Sequence, residues 1–186
     1  VAEKKSIIDG KLIKSGDQVI AIASNGLHTN GYTLVRALIA AHPEITKVMV
    51  DDKSFIEAIL MPHLCYYKGV AELFNSKIIN GMAHITGGGI RDNLTRILPD
   101  HLDTKIDLSK IKIPEIFKVL KHHGQLDTSD MLRTFNMGVG LALIVAKENV
   151  AQVNNHLQTE GYRPYVIGEI VEGSKQVQFT DKLQNL

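Results

Sequence analysis

The run Leu141-Ala142-Leu143-Ile144-Val145-Ala146 decides the fold, because six consecutive apolar residues after a glycine-bearing turn predict a strand that is buried on both faces. Amphipathic residues follow at 148–160 and end at Gly161, which predicts a helix. Residues 165–171 then predict a second strand. A strand, a helix and a strand in succession suggest half of a ferredoxin-like fold.

Further units of strand and helix lie upstream of this run. Residues 19–23 predict another buried strand, and the helical spacing of Leu34 and Leu38 predicts a helix that ends before Pro43. Residues 78–98 predict a strand, a glycine loop and a helix. The expected fold class is therefore α+β, a mixed β-sheet with helices packed in layers (α/β/α), partly ferredoxin-like.

The composition favours a soluble, cytoplasmic protein. Of 186 residues, 21 are Lys or Arg and 20 are Asp or Glu, and no basic stripe could neutralise a run of phosphates, so no nucleic-acid partner is expected. No apolar segment approaches the roughly 18–20 residues that span a membrane. The single cysteine, Cys65, lies in a helical pattern at 54–74 broken at Pro62; we expect it to be a small buried hydrophobe, which suits a reducing compartment.

Three polar loops are candidate sites, because each adjoins an apolar strand and combines glycine with hydrogen-bonding side chains. The first loop, residues 24–32, contributes the candidates Ser24, His28, Asn30 and Gly31. His28 could bind an anion or transfer a proton near neutral pH. Asn30, or its neighbour Thr29, could equally serve as a helix cap with no ligand.

The second loop carries three successive glycines, each of which costs roughly 0.5–1 kcal/mol of ordering entropy relative to alanine. Its position between a strand and a helix predicts unpaired N–H groups that face a phosphate. Its candidate binding residues are His84, Thr86, Gly87, Gly88 and Gly89. His84 could instead be hydrogen-bonded scaffolding at the end of the strand, and Thr86 could orient the loop.

The third loop offers Arg133, Asn136 and Gly138 as candidate binding residues. Arg133 could pair with a phosphate, or with Asp127 or Asp130 in a structural ion pair. Asn136 and Gly138 could shape a turn with no ligand. No metal site is predicted, because the histidines are scattered and acidic residues do not cluster in the loops.

Four motifs together resemble phosphoribosylformylglycinamidine cyclo-ligase, also called aminoimidazole ribonucleotide synthetase. They are Gly16-Asp17; Ser24-Asn25-Gly26-Leu27-His28-Thr29-Asn30-Gly31-Tyr32-Thr33-Leu34-Val35-Arg36; Ala83-His84-Ile85-Thr86-Gly87-Gly88-Gly89 with Asn93 and Arg96; and Arg133-Thr134-Phe135-Asn136-Met137-Gly138-Val139-Gly140. The resemblance covers nearly the whole chain but only the family's C-terminal domain. It implies that residues 1–16 are the tail of an N-terminal ATP-binding domain and its linker, and that residues 17–186 are the C-terminal cyclo-ligase domain.

The resemblance implies ATP-dependent ring closure of formylglycinamidine ribonucleotide to aminoimidazole ribonucleotide in purine synthesis. ATP and Mg²⁺ would be bound mainly by the N-terminal domain, the full-length enzyme would be a homodimer, and this chain would be an inactive fragment on its own. The ligands would be the small-molecule nucleotide and ATP. Within the chain, the resemblance implies anion or substrate binding by residues 87–89, ligand contact by His28 and Asn30, and loop shaping by Asn136 and Gly138.

The chain departs from the family pattern in two places. Pro62-His63-Leu64-Cys65-Tyr66 stands where the family usually reads Pro-Thr-Arg-Ile-Tyr, and Asp130 replaces the usual glutamate. Two other functions remain open at this stage: another ATP-using enzyme of the same superfamily, and a phosphate- or nucleotide-binding module without catalysis.

Overall fold

The computed structural model describes residues 7–184 and residue 186, so the first six residues of the expected tail lie outside it. The elements in chain order are β1 (Gln18–Ala23), α1 (Tyr32–Ala41), β2 (Met49–Val50), β3 (Lys53–Ser54), α2 (Phe55–Ile59), α3 (Tyr67–Ser76), β4 (Ile79–His84), α4 (Gly89–Thr95), β5 (Leu102–Asp107), α5 (Glu115–Gly124), α6 (Thr128–Thr134), β6 (Val139–Val145), α7 (Val150–Thr159), β7 (Pro164–Glu172) and β8 (Val177–Thr180). Short 3₁₀ turns lie at Pro43–Lys47, Leu108–Lys110 and Lys147–Asn149.

Six strands form a mixed sheet in the order β4-β6-β1-β7-β5-β8, and β2 pairs with β3 in a separate ribbon. All neighbours in the large sheet are antiparallel except β5 and β8. β1 lies between β6 and β7 and runs antiparallel to both, so β6, α7 and β7 form a split β-α-β unit. The predicted α+β class and its partly ferredoxin-like character are confirmed.

Helices cover both faces of the sheet, which produces the expected α/β/α layers. Val19 and Ala21 of β1 belong to the larger core, which also contains buried residues of α1, α2, α4, α5 and α6. Ile20 and Ile22 point to the second core, under α3 and α7. Because both faces are covered, β1 and β6 bury every apolar side chain, and each buried Val, Leu or Ile among them stabilises the fold by about 1.5–3 kcal/mol.

The helical pattern at 54–74 is interrupted for longer than expected. α2 ends at Ile59 and α3 begins at Tyr67, because Pro62 cannot donate a helical hydrogen bond and disfavours helix at the residue before it. The expectation that Cys65 is a buried helical residue is therefore wrong, since its side chain is exposed in the connecting segment. Tyr66 is buried instead.

Residues 7–16 lie against the sheet. Ile13 is buried in the larger core, and the Gly16 N–H donates to the Ile170 carbonyl at 2.8 Å. The boundary at residue 16 stays a prediction. Across the part of the chain that the structure describes, no helix has both the length and the apolar character needed to cross a bilayer.

Candidate functional site

The three polar loops meet at one end of the sheet. β1 and β4 both run antiparallel to β6, which lies between them. Ala23 at the end of β1 pairs with Val139, and His84 at the end of β4 pairs with Leu141, so both strands end where β6 begins. The loops 24–31, 85–88 and 135–138 therefore form a continuous structure, which we call the three-loop rim.

Asn136 joins the first loop to the third. Its Oδ1 accepts from Ser24 Oγ at 2.9 Å and from the Gly138 N–H at 2.8 Å, and its Nδ2 donates to the Gly26 carbonyl at 2.9 Å. The Asn136 side chain is only 2% exposed, so these bonds are shielded from water. A Cβ on Gly138 would overlap the Lys112 carbonyl oxygen. The geometry favours loop shaping by Ser24, Asn136 and Gly138, and their binding roles stay predictions.

Asn93, on α4, holds the glycine loop in a similar way. Its Nδ2 donates to the Gly89 carbonyl at 2.8 Å and to the Gly87 carbonyl at 3.3 Å, and its Oδ1 accepts from Thr86 Oγ1 at 3.1 Å and from Arg96 Nη1 at 3.1 Å. The sequence placed Asn93 within a motif but gave no indication of this role. We call the region fixed by Asn93 and Asn136 the asparagine-pinned side of the rim.

The three glycines of this loop differ in what they do. Gly88 and Gly89 have φ of 91° and 64°, and a Cβ on Gly89 would overlap the Leu132 carbonyl oxygen of α6. The Gly88 N–H donates to the Arg133 carbonyl at 3.1 Å, and the Gly89 N–H donates to the Thr86 carbonyl at 3.0 Å. These two amides are thus already paired within the protein, contrary to the expectation of free N–H groups.

Gly87 and Asn30 lie next to each other where the first two loops meet. A Cβ built on Gly87 would lie 3.7 Å from Asn30 Oδ1, an ordinary contact distance. Gly31 has φ of 84° and begins α1 with no side-chain cap, so neither Asn30 nor its neighbour Thr29 caps this helix. The half-buried Asn30 amide and the bare backbone of Gly87 are the part of the rim that leaves room for a ligand.

Three histidines from different segments meet beside the first loop, and we call His28, His63 and His84 the histidine corner. The rings of His28 and His63 stack with centroids 3.9 Å apart and an angle of 17° between them. His63 Nε2 lies 3.3 Å from His84 Nε2. Sequence reasoning did not select His63, although the departure that the resemblance implied at 62–66 was a usable signal.

The hydrogen bonds of Asn25 determine the tautomer of His28. Asn25 Nδ2 donates to the Pro62 carbonyl at 2.8 Å, which orients Asn25 Oδ1 toward His28 Nε2 at 3.1 Å. His28 Nε2 therefore carries the proton, and the buried Nδ1 keeps a lone pair with no partner among residues 7–184 and 186. Burial, with smaller contributions from His63 and His84, lowers the pKa of His28 to about 4. The imidazole is uncharged at neutral pH, which disfavours His28 as a cationic anion binder.

Gly140 at the start of β6 makes room for this corner. A Cβ there would overlap Tyr66 Oη and press against His28 Cε1. Tyr66 Oη donates to the Ala23 carbonyl at 3.1 Å, which ties the segment between α2 and α3 to the end of β1. Sequence reasoning gave no role to Gly140 or Tyr66, because their partners lie far away in the chain.

Arg133 adopts the ion-pair alternative. Its Nη2 lies 2.9 Å from Asp130 Oδ1, and the Arg133 side chain is 78% exposed. Both residues border a cavity of about 420 Å³ that is also lined by Gly88 and Arg91. The shorter acid at position 130 therefore reaches this arginine. The Arg133 guanidinium is paired with a carboxylate and is not free to bind a ligand without exchange.

Residues 14–180 match the family described as "AIR synthase related protein, C-terminal domain". The chain belongs to this family. It is 41% identical over 178 residues to the phosphoribosylformylglycinamidine cyclo-ligase of Pseudothermotoga lettingae, a match that covers 95% of this chain and 52% of the relative. The chain thus spans about half the length of the curated relatives it matches.

Solved structures share the fold of this family member at low sequence identity. Thiamine-monophosphate kinase from Stenotrophomonas maltophilia K279a superposes with a TM-score of 0.65 at 13% identity, covering 97% of this chain and 55% of the kinase chain. T. maritima PurL complexed with AMPPCP gives a TM-score of 0.55 at 12% identity, covering 98% of this chain and 26% of the PurL chain. At such identities the likeness shows the fold alone.

The histidine corner does not offer the ligands that Mg²⁺ prefers. Within 7–184 and 186, the histidine corner is the one group of three or more His, Cys, Asp or Glu side chains close enough to hold a metal ion. Mg²⁺ demands oxygen ligands in octahedral geometry, and the corner offers imidazole nitrogen. No step of a reaction can be assigned to Mg²⁺ on these residues.

Proposed function

We propose that this chain is the substrate-side, C-terminal domain of an ATP-dependent cyclo-ligase that converts formylglycinamidine ribonucleotide to aminoimidazole ribonucleotide in de novo purine biosynthesis. The observation that carries the proposal is the 41% identity over nearly the whole chain to a relative with that name. The three motif loops, far apart in sequence, also lie together at one rim. Because the chain spans half of the relative, turnover would require the other half.

The proposed reaction begins when ATP phosphorylates the formyl oxygen. The ring-forming nitrogen then attacks the activated carbon, the phosphate leaves with the former formyl oxygen, and the products are ADP, phosphate and the closed ring. Such chemistry asks the protein to hold the reacting groups together and to stabilise phosphate charge. The three-loop rim would supply one wall of the site.

Individual residues would contribute in different ways. Asn30 and the open backbone of Gly87 would contact the ligand, with His84 and Thr86 beside them. Gly88 and Gly89 would act by shaping the loop, because their N–H groups are already paired. His28 would serve as an uncharged hydrogen-bond partner, since a group whose pKa is about 4 is a weak proton acceptor at neutral pH.

Arg133 could still reach a phosphate in this scheme. Its bond to Asp130 is an exposed ion pair, and such pairs contribute only about 0–1 kcal/mol. Exchange of the carboxylate for a doubly charged phosphate would therefore cost little. A ligand in the cavity beside Gly88 would also approach Arg91.

Further parts of the proposal concern what lies beyond this domain. ATP and Mg²⁺ would be held mainly by an N-terminal domain, to which residues 1–16 would lead, with 17–186 as the cyclo-ligase domain. The complete enzyme would be a homodimer in the cytoplasm, with small-molecule nucleotides as its ligands. No residue of this domain is assigned to the dimer contact.

The decisive experiment is a chimera in which this chain replaces the C-terminal half of the P. lettingae relative. We expect the chimera to form aminoimidazole ribonucleotide from ATP and formylglycinamidine ribonucleotide, and the isolated chain to form none. Asn30→Ala should raise the KM of the chimera for the ribonucleotide, whereas Thr29→Ala, at the exposed neighbouring position, should leave it unchanged.

A folded chimera that binds ATP but forms no product would contradict the proposal. If the isolated chain then bound nucleotide in calorimetry, a binding module without catalysis would be the better description. Turnover of a different phosphorylated substrate by the same chimera would indicate another ATP-using enzyme of the superfamily.

A further inference from the structure

We propose that the histidine corner is a binding site for a divalent transition-metal cation, represented here by Zn²⁺. One ring nitrogen from each of His28, His63 and His84 lies within 4.8 Å of the others. Three imidazoles and one water are a donor set that Zn²⁺ accepts. The proposal does not rest on the proposed function, but it assigns the free lone pair of His28 to the cation, so His28 would not contact the nucleotide in the metal-bound state.

The separation of two of these nitrogens already suits a shared cation. His63 Nε2 and His84 Nε2 are 3.3 Å apart. Zn–N bonds of about 2.0–2.1 Å in a tetrahedron place two ligand nitrogens about 3.3 Å from each other. A cation bound between these rings would replace a single weak imidazole–imidazole hydrogen bond.

His28 has the surroundings that metal-ligating histidines usually have. Its Nε2–H donates to Asn25 Oδ1, and Asn25 is itself oriented by the Pro62 carbonyl. An oxygen acceptor behind a ligating imidazole fixes the ring and raises its basicity toward the metal. Ligation through the unpartnered Nδ1 leaves this bond intact and gives the buried lone pair a partner.

The corner is also accessible to a cation from solvent. His84 is exposed, which gives a cation a route from solvent and leaves room for a water as fourth ligand.

Only the tilt of the His63 ring has to change, while its Nε2 stays near His84 Nε2. His63 stacks face to face on His28, and parallel rings do not aim their in-plane lone pairs at one point. His63 is half-buried and lies in the non-helical segment between α2 and α3, so its ring can turn by side-chain rotation. His28 is held by its bond to Asn25 and by a backbone φ of 59°.

Zinc binding to the purified chain tests the proposal directly. We expect calorimetry with Zn²⁺ to show one site per chain and a Tm that rises with zinc concentration. With Co²⁺ in place of zinc, we expect the strong visible absorption of a tetrahedral site. His63→Thr should weaken the affinity more than about tenfold, because it removes a direct ligand.

Two further variants keep the result interpretable. His63→Gln covers the case in which threonine disturbs the fold, and circular dichroism checks both proteins. His122→Thr removes an exposed histidine on α5 and should leave zinc binding unchanged. Equal affinity in the unmodified chain and in the folded His63 variants, or Co²⁺ spectra of octahedral type only, would overturn the proposal.

Discussion

The asparagine-pinned side of the rim and the histidine corner lie next to each other but are built on opposite principles. On the pinned side, Asn93 and Asn136 each make several short hydrogen bonds to neighbouring loops. In the corner, His28 retains a buried nitrogen with no partner among the described residues, and His63 and His84 share one bond. A satisfied network stabilises a fold, whereas a buried polar group without a partner is costly and calls for an explanation such as a bound ion, a water or a catalytic role.

The largest expected effect comes from breaking the pinned side at Gly89. Gly89→Ala forces a side chain into a positive-φ position and into the Leu132 carbonyl oxygen, and should lower the free energy of unfolding by about 3 kcal/mol or more. Gly87→Ala is the matched control and should change it by less than about 0.5 kcal/mol. Urea denaturation measures both free energies of unfolding. Equal losses would show that the close approach of Gly89 to α6 does not determine stability.

The next effect concerns Asn136. Asn136→Ala leaves the Gly138 N–H and the Gly26 carbonyl without partners in a buried place, and should cost about 2–4 kcal/mol. Ser24→Ala removes a single hydroxyl donor and should cost about 1 kcal/mol. Thermal and urea unfolding would test this ratio. A Ser24 variant as unstable as the Asn136 variant would mean that the hydroxyl, and not the amide, organises the loops.

A smaller effect is expected in the corner. In metal-free buffer, His63→Gln should change the free energy of unfolding by less than about 1 kcal/mol, because it disturbs only a stacking contact and one imidazole bond. The contrast between the pinned side and the histidine corner holds only if His63→Gln lowers the free energy of unfolding clearly less than Asn136→Ala does. A comparable loss would make the corner part of the scaffold.

The smallest effect should come from Arg133. Arg133→Ala removes an exposed ion pair and should change stability by no more than about 0.5 kcal/mol, with Asp130→Asn behaving alike. Unfolding at low and high salt measures the pair. A cost above about 1 kcal/mol, insensitive to salt, would indicate that Arg133 supports the glycine loop through more than its backbone.

Much of the sheet could be predicted from the sequence, because β1, β4, β6 and β7 are apolar enough to stand out. β5 was missed because Asp103 and Thr104 are buried polar residues in its middle. Asp103 Oδ1 accepts from the Ser174 and Gln176 N–H groups at 2.7 and 2.8 Å, and these hydrogen bonds hold its pKa below the ordinary value. Because these partners lie about 70 residues away in the chain, no local sequence pattern marks β5 as a strand.

The candidate site was predictable as three loops, but its internal chemistry was not. The triple glycine correctly marked a tight turn between a strand and a helix, yet the destinations of its N–H groups depend on α6. The histidine corner depends on the fold even more strongly, because the loop after β1, the end of β4 and the segment after α2 each supply one ring. Spacing along the chain cannot show this, since residues that meet at a sheet edge need have no regular separation.

The central position of β1 has a consequence for how the chain folds. Gln18 pairs with Val145 on one side and with Glu169 on the other. The first strand therefore cannot form its sheet pairs until β6 and β7, near the C-terminal end, have been synthesised. Contacts of such long sequence separation slow folding, because a large loop must close before any pairing energy is gained. A nascent chain that stops before β6 has its central strand unpaired on both edges, and such a strand is prone to associate with other chains. Completion of the C-terminal segment should therefore be the event that commits the domain to its native sheet.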